Sequence, residues 1–195
     1  MKIDIILAGV GGQGILSIAA IIGTAAINKG LYLKQAEVHG MSQRGGDVQS
    51  NLRIADYPIA SDLIPEGKAD MIISVEPMES LRYLPMLSPD GWLVTNTKPY
   101  ININNYPEMD ELLAEIERQP RHIAIDADEM AKELGSARSA NMVILGAASP
   151  YLGIEYEALK DAIKSIFGRK SEEIVKVNLQ ALEAGRQAAM RKIIA

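Results

Sequence analysis

No cysteine occurs among the 195 residues of this chain. Disulfides, thiolate zinc sites, thiol nucleophiles and cysteine-held iron–sulfur clusters are therefore excluded on this polypeptide. Histidine is nearly as scarce, and His39 and His122 alone cannot build a histidine-rich metal centre. Like-charge blocks are missing too. The net charge of −5 argues against a broad nucleic-acid surface or a polybasic membrane anchor. From Ile5 to Ile27 there is no charge at all, a length that could span a membrane. Gly9, Gly11, Gly12, Gly14, Gly23 and Gln13 interrupt that stretch, however, and Asp4 stands where a signal peptide would be basic. A buried strand–turn–helix is expected there, in a soluble, cytoplasmic protein.

What the chain does contain is 48% apolar and 23% charged residues, a globular composition long enough to bury a core without staples. A single domain over residues 1–195 is expected. Lys2 to Ala8 reads as a central parallel strand buried on both faces, and Ile15 to Lys29 as a helix closed by Lys29 and Gly30. Further strands are expected at Tyr32 to Glu37, Val48 to Ile54, Asp70 to Val75, Trp92 to Asn96 and His122 to Asp126. Pro89-Asp90-Gly91 reads as a turn, and Lys98 to Pro107 as an irregular connection. Helices are expected from Glu76-Pro77 to about Leu84, at Met109 to Arg118, and through most of the chain after Asp128. This alternation predicts an α/β, Rossmann-like layered fold with a mainly parallel sheet and a helical C-terminal third.

Two glycine clusters carry the chemistry. Gly9-Val10-Gly11-Gly12-Gln13-Gly14 has the G-x-G-x-x-G spacing, after an apolar strand and before a helix. Such a turn lets backbone approach an anion, and the helix offers unpaired amides at its positive end. A dinucleotide site would also need an acid ending the second strand. Glu37 is near enough to consider, but Leu31 to Ala36 contains none. Close helix–strand packing explains the same glycines without a ligand.

The second cluster runs from Glu37 through Val38, His39, Gly40, Met41, Ser42, Gln43 and Arg44 to Gly45 and Gly46. Three glycines in seven positions make a shaped loop rather than a helix. Arg44 presents a planar fork for carboxylate or phosphate, and Gly45-Gly46 can turn successive amides toward an anion. If the first two strands run parallel, both loops leave the carboxyl edge of the sheet, where open α/β folds bind ligands. Gln13, Ser42, Gln43 and Arg44 would then rim one crevice. A structural role stays open: His39 bonding a backbone carbonyl, and Arg44 pairing with Glu37 or Asp47. His122 receives no role.

GVGGQGI followed by AEVHGMSQRGGDVQSNLRI, with Asn141 to Ala147 as a later asparagine–glycine segment, resembles the gamma-type domain of the 2-oxoacid:ferredoxin oxidoreductases. The HGMSQRGG form is most similar to the branch acting on indolepyruvate, where the matching chain is the small beta subunit. The resemblance implies an oxygen-sensitive, CoA-acylating complex that turns arylpyruvates into aryl-acetyl-CoA and CO2, with ferredoxin as electron acceptor. It also implies thiamine diphosphate, Mg and [4Fe-4S] clusters on a large alpha subunit, with coenzyme A as cosubstrate. This chain would complete the active site, and Gly9, Gly11, Gly12, Gln13, Gly14, Ser42, Gln43, Arg44, Gly45 and Gly46 would hold an anionic part of 2-oxoacid or coenzyme A. Two readings of other kinds compete: a free-standing nucleotide-binding regulatory module, and a purely structural subunit whose loops serve only assembly.

Overall fold

A computed structural model describes residues 1–40 and 45–194, leaving aside the side chains of His39, Ile193 and Ile194. Six strands form one sheet in the order β2-β3-β1-β4-β5-β6. They are β1 (Lys2–Val10), β2 (Tyr32–His39), β3 (Asp47–Ala55), β4 (Ala69–Ser74), β5 (Leu87–Asn96) and β6 (His122–Ile125). The helices are α1 (Ile15–Asn28), α2 (Pro77–Arg82), α3 (Met109–Glu117), α4 (Ala127–Glu133), α5 (Ala140–Ala148), α6 (Tyr156–Phe167) and α7 (Glu172–Ile194).

The layered α/β fold and helical C-terminal third are as expected, and β1, β4, β5 and β6 are mutually parallel. The strands next to the glycine loops need a correction. β3 lies between β1 and β2 and pairs antiparallel with both, so β1 has a parallel neighbour on one side only. The short connection between β2 and β3 explains this, because it can close a hairpin but is too short for a parallel crossover. β2 nevertheless points the same way as β1, being antiparallel to the same strand. Both glycine loops therefore leave the carboxyl edge of the sheet.

Pro89-Asp90-Gly91 is not a turn; it lies inside β5. The pairing register between β4 and β5 shifts at this point, passing from Ala69↔Leu87 to Met71↔Trp92. An irregular register absorbs a residue that cannot donate a ladder hydrogen bond.

Side-chain alternation sorts the core into two layers. Ile5 and Leu7 of β1, Met71 and Ile73 of β4 and Val94 of β5 pack with α1, α4, α5, α6 and α7 on one face. Ile6, Ile72 and Leu93 point the other way, toward Leu81 of α2 and Ile116 of α3. The acid in β1 is also accounted for. Asp4, 2% exposed, faces Arg53 across the strand pair and receives a forked bond of 2.8 and 3.1 Å. Among the described residues no helix is long and apolar enough to cross a membrane.

Candidate functional site

β1 ends at Val10, and the chain turns at once. Gln13 braces that turn from inside. Its Oε1 accepts from the Val10 amide at 2.8 Å, and its Nε2 donates to the Val75 carbonyl at 3.4 Å. Gly14 begins α1 at φ +85°, a left-handed conformation that disfavours a side chain. A Cβ there would also run into the Asn141 amide, which instead donates to the Gly14 carbonyl at 3.1 Å. Among the described residues no side chain caps α1, and no acid stands in its first turn. A helix start of this kind can offer leading amides to an anion, although the Ser17 amide is already spent on the Gly14 carbonyl at 3.0 Å.

The second cluster docks onto the first. The Gly11 amide donates to the Gly46 carbonyl at 2.8 Å, and the Gly45 amide to the Gly11 carbonyl at 3.3 Å. Ser42, Gln43 and Arg44, the polar members proposed for the rim, lie outside the described residues, as does Met41. Between the joined loops sits a crevice of about 250 Å³ lined by Gly11, Gly12, Gly14, Leu16, Glu37 and Val48. Glu37 thus reaches the glycine turn from the end of β2. The dinucleotide motif, by contrast, needs its second strand paired parallel to the first, and antiparallel β3 stands there instead.

A second crevice, of about 540 Å³, opens on the β4 side of the same turn. Its floor comes from Gly12, Gln13, Gly14 and Ser17 with Val75 and Asn96, and its walls carry Asp128, Arg138, Asn141 and Lys170. Asn96 is 2% exposed and fully used: Nδ2 donates to the Val75 carbonyl at 3.2 Å and to Asp128 at 2.7 Å, and Oδ1 accepts from the Ala127 amide at 3.0 Å.

Two buried carboxyl groups tie neighbouring segments to this edge. Glu76, wholly buried, accepts from the Glu79 amide that opens α2, from the Tyr100 amide at 3.1 Å and from the Tyr106 hydroxyl at 2.5 Å. It therefore clamps the connection between β5 and α3, whose Asn102 amide donates to the Gly45 carbonyl. Burial, reinforced by Glu76, pushes the Tyr106 hydroxyl far above the usual phenol range. Beneath the second loop, Asp47 accepts from the Tyr83 hydroxyl at 2.7 Å and lies beside Glu79, which receives a fork from Arg82 at 2.7 and 3.2 Å. Burial raises the Glu79 carboxyl above its ordinary value and Asp47 adds to this, while Arg82 opposes it. A larger, mostly apolar groove of about 770 Å³ between α6 and α7 shares no described residue with either glycine loop.

Comparison with known proteins decides the family. The family model described as pyruvate ferredoxin/flavodoxin oxidoreductase matches residues 4–188. This chain belongs to that family. Within it, the chain is 39% identical to indolepyruvate oxidoreductase subunit IorB of Archaeoglobus fulgidus, covering 97% of this chain and 96% of that one. It is 36% identical to the same subunit of Methanothermobacter thermautotrophicus, over 97% and 98% of the two chains. The fold also superimposes on a 2-oxoglutarate:ferredoxin oxidoreductase from Magnetococcus marinus, with a TM-score of 0.79 and 26% identity. That structure holds 2-oxoglutarate, coenzyme A and succinyl-CoA; the match takes in 97% of this chain and 31% of that one. The small subunit class of the 2-oxoacid:ferredoxin oxidoreductases is thus where this chain falls.

Sequence reasoning passed over Asn96, Asp128, Arg138 and Lys170 as members of this edge. The signal for Asn96 was its place at the carboxyl end of a strand. Arg138 stands among small residues, Gly135-Ser136-Ala137-Arg138-Ser139-Ala140, as Arg44 stands beside glycines. Asp128 and Lys170 offered none, since a helix N-terminal acid and a lysine in a helix–helix turn usually face water.

Proposed function

We propose that this chain is the small subunit of a CoA-acylating arylpyruvate:ferredoxin oxidoreductase, with indolepyruvate its type substrate, working in the cytoplasm as one gamma-type domain. A large partner subunit carries thiamine diphosphate, Mg and [4Fe-4S] clusters, and passes electrons singly to ferredoxin. The thiamine cofactor supplies carbanion stabilisation when bound there. Full-length likeness to the indolepyruvate oxidoreductase subunits supports the substrate class. The absence of cysteine supports a partner that holds the clusters, because nothing in this sequence can ligate them. Among the described residues no group of three His, Asp or Glu side chains is placed to hold a metal ion either.

The observation that carries the role of this chain is the direct bonding of the two glycine loops at the carboxyl edge. Joined in this way they form one continuous surface, with Gly9, Gly11, Gly12 and Gly14 on one side and Gly45 and Gly46 on the other, the Gly11 and Gly45 amides being those that hold it together. Set against the partner's active site, that surface and Ser42, Gln43 and Arg44 position the anionic part of 2-oxoacid or coenzyme A. Gln13 acts one step back, by holding the turn. Charge placed before reaction lowers the barrier without reorganisation at the moment of chemistry.

The test is anaerobic affinity purification of the tagged chain from its own host, with assay of indolepyruvate- and CoA-dependent reduction of a viologen dye. A brown large subunit that co-elutes with this activity is expected. A colourless chain eluting alone and inactive with added thiamine diphosphate would favour the free-standing nucleotide module. In an assembled Arg44→Ala complex the KM for 2-oxoacid or coenzyme A should rise; wild-type kinetics would remove Arg44 from the site.

A further inference from the structure

We propose that two copies of this chain pair through the β2 edge of the sheet, strand β2 against β2 and helix α1 against α1, about a two-fold axis at Gln35. The sheet ends in β2 on one side and β6 on the other, and the two differ. β6 has four residues and offers little ladder to a neighbour. β2 has eight, pairs with β3 in unbroken register, and meets no strand on its other side among the described residues. Edges of this length are usually blunted by proline, a bulge or lysine. β2 has neither proline nor bulge, and its one lysine, Lys34, donates instead to the Ala60 carbonyl of its own chain at 3.1 Å.

The helix above this edge supplies an independent observation. α1 has no charged residue in its fourteen, yet Leu16, Ala20 and Ile27 share one exposed side of it. A surface helix ordinarily carries charge there. α6 packs along one side of α1, and the other side opens over β2. Gly23 lies against Leu33 of β2, and Leu16 lines the same crevice as Glu37. Ala20, between them, therefore stands level with Gln35.

The pattern of both elements names a second copy as the occupant. Tyr32 and Val38, 50% and 56% exposed, lie on one face of β2 with Gln35 midway between them. Antiparallel pairing about Gln35 sets Tyr32 opposite Val38 of the second copy, twice over, and aromatic–β-branched pairs stabilise such ladders. It also brings Ala20 to Ala20, the smallest side chain of the stripe where the two helices come nearest. Each copy has a net charge of −5, so like chains repel unless they meet across a neutral face, and α1 presents one. An eight-residue strand is about 27 Å long, and a sheet with its helix layer is about 20 Å deep, which gives roughly 500 Å² per copy. That area is at the lower end for specific interfaces and fits a weak, reversible dimer.

Sedimentation velocity of the full-length chain, from low micromolar to several hundred micromolar, tests this. The mass should rise from that of one chain toward that of two. Tyr32→Lys and Ala20→Glu should each weaken dimerisation at least about tenfold, or about 1.4 kcal/mol. Both should melt as wild type does at low concentration, since both positions face solvent in the single chain. The sequence holds no cysteine, so Gln35→Cys introduces a single thiol. With oxidised glutathione as oxidant, two such thiols should join across the axis, whereas those of Asp90→Cys, exposed on β5 toward the other end of the sheet, should not. These readouts need neither 2-oxoacid nor large subunit, so their failure is separate from failure of the arylpyruvate reading. A chain that stays monomeric, a dimer indifferent to Tyr32→Lys and Ala20→Glu, or Gln35→Cys joining no faster than Asp90→Cys would overturn the proposal. So would a Gln35→Cys thiol that, in the purified complex, links to the large subunit and not to a second copy, which would assign the edge to that subunit.

Discussion

At the scale of single residues, two buried carboxyl groups hold the edge of the sheet in different ways. Glu76 is surrounded by donors, from Glu79, Tyr100 and Tyr106. Glu79 meets Arg82 on one side and Asp47 on the other, and one Asp47 oxygen is buried with no donor among the described residues. A proton on Glu79 would supply a donor toward Asp47. The sign of the resulting linkage follows. Glu79 holds its proton more tightly folded than unfolded, so its contribution is fully present below about pH 4.5 and is lost as pH rises through the raised folded value. Glu79→Gln keeps an N–H toward Asp47 and an oxygen toward Arg82. Urea midpoints measured across pH 4 to 8 should therefore show wild type losing stability relative to Glu79→Gln as pH rises. Parallel curves would mean that no proton is shared.

At the scale of elements, the clamped connection and the α5–α7 crossing do the positioning. The connection between β5 and α3 reaches the second glycine loop through Asn102 and is anchored through Tyr106. Tyr106→Phe removes a donor from a buried carboxylate and should cost about 2 kcal/mol. Hydrogen exchange should quicken at residues 97–108 and at Gly45, while β1 and β4 keep their protection; uniform quickening would contradict a local clamp. α5 delivers Asn141 to the glycine turn and is buried along nearly its whole length. It crosses α7 so closely that a Cβ on Gly185 would collide with the Val143 carbonyl, and one on Gly146 with the Leu182 carbonyl. Backbone cannot yield as a side-chain tip can. Gly185→Ala should destabilise by about 3 kcal/mol, read as a lowered denaturation midpoint. A change below about 0.5 kcal/mol would show that the helices slide apart freely.

At the scale of the whole molecule, some of the exposed apolar side chains stand around the carboxyl edge of the sheet. Leu16 and Val38 stand beside the glycine loops, 53% and 56% exposed, and Ile101 on the clamped connection is 68% exposed. Apolar residues grouped at such an edge mark a contact surface more often than scattered ones do. If the large subunit covers this edge, Ile101→Asp should reduce its co-purification several-fold. The chain's own stability should stay within about 0.5 kcal/mol, as surface changes usually do. Undiminished assembly would place the interface elsewhere.

Much of this was legible in order along the chain. Apolar runs of strand length, proline and glycine punctuation and helical periodicity are local signals, and they located nearly every element. The absence of cysteine and the paired glycine clusters are likewise properties of the sequence, and the clusters carried the resemblance to the family that the comparisons show. Pro89-Asp90-Gly91 misled because turn chemistry is local, whereas its place in β5 comes from pairing with β4 across an irregular register. The antiparallel insertion of β3 also lay beyond local reading, because strand neighbours are set by which faces can be buried together. The crevice beside β4 is tertiary for the same reason. Gly14, Asn96, Asp128, Arg138 and Lys170 are far apart in sequence and meet only where two connections part at one edge of the sheet.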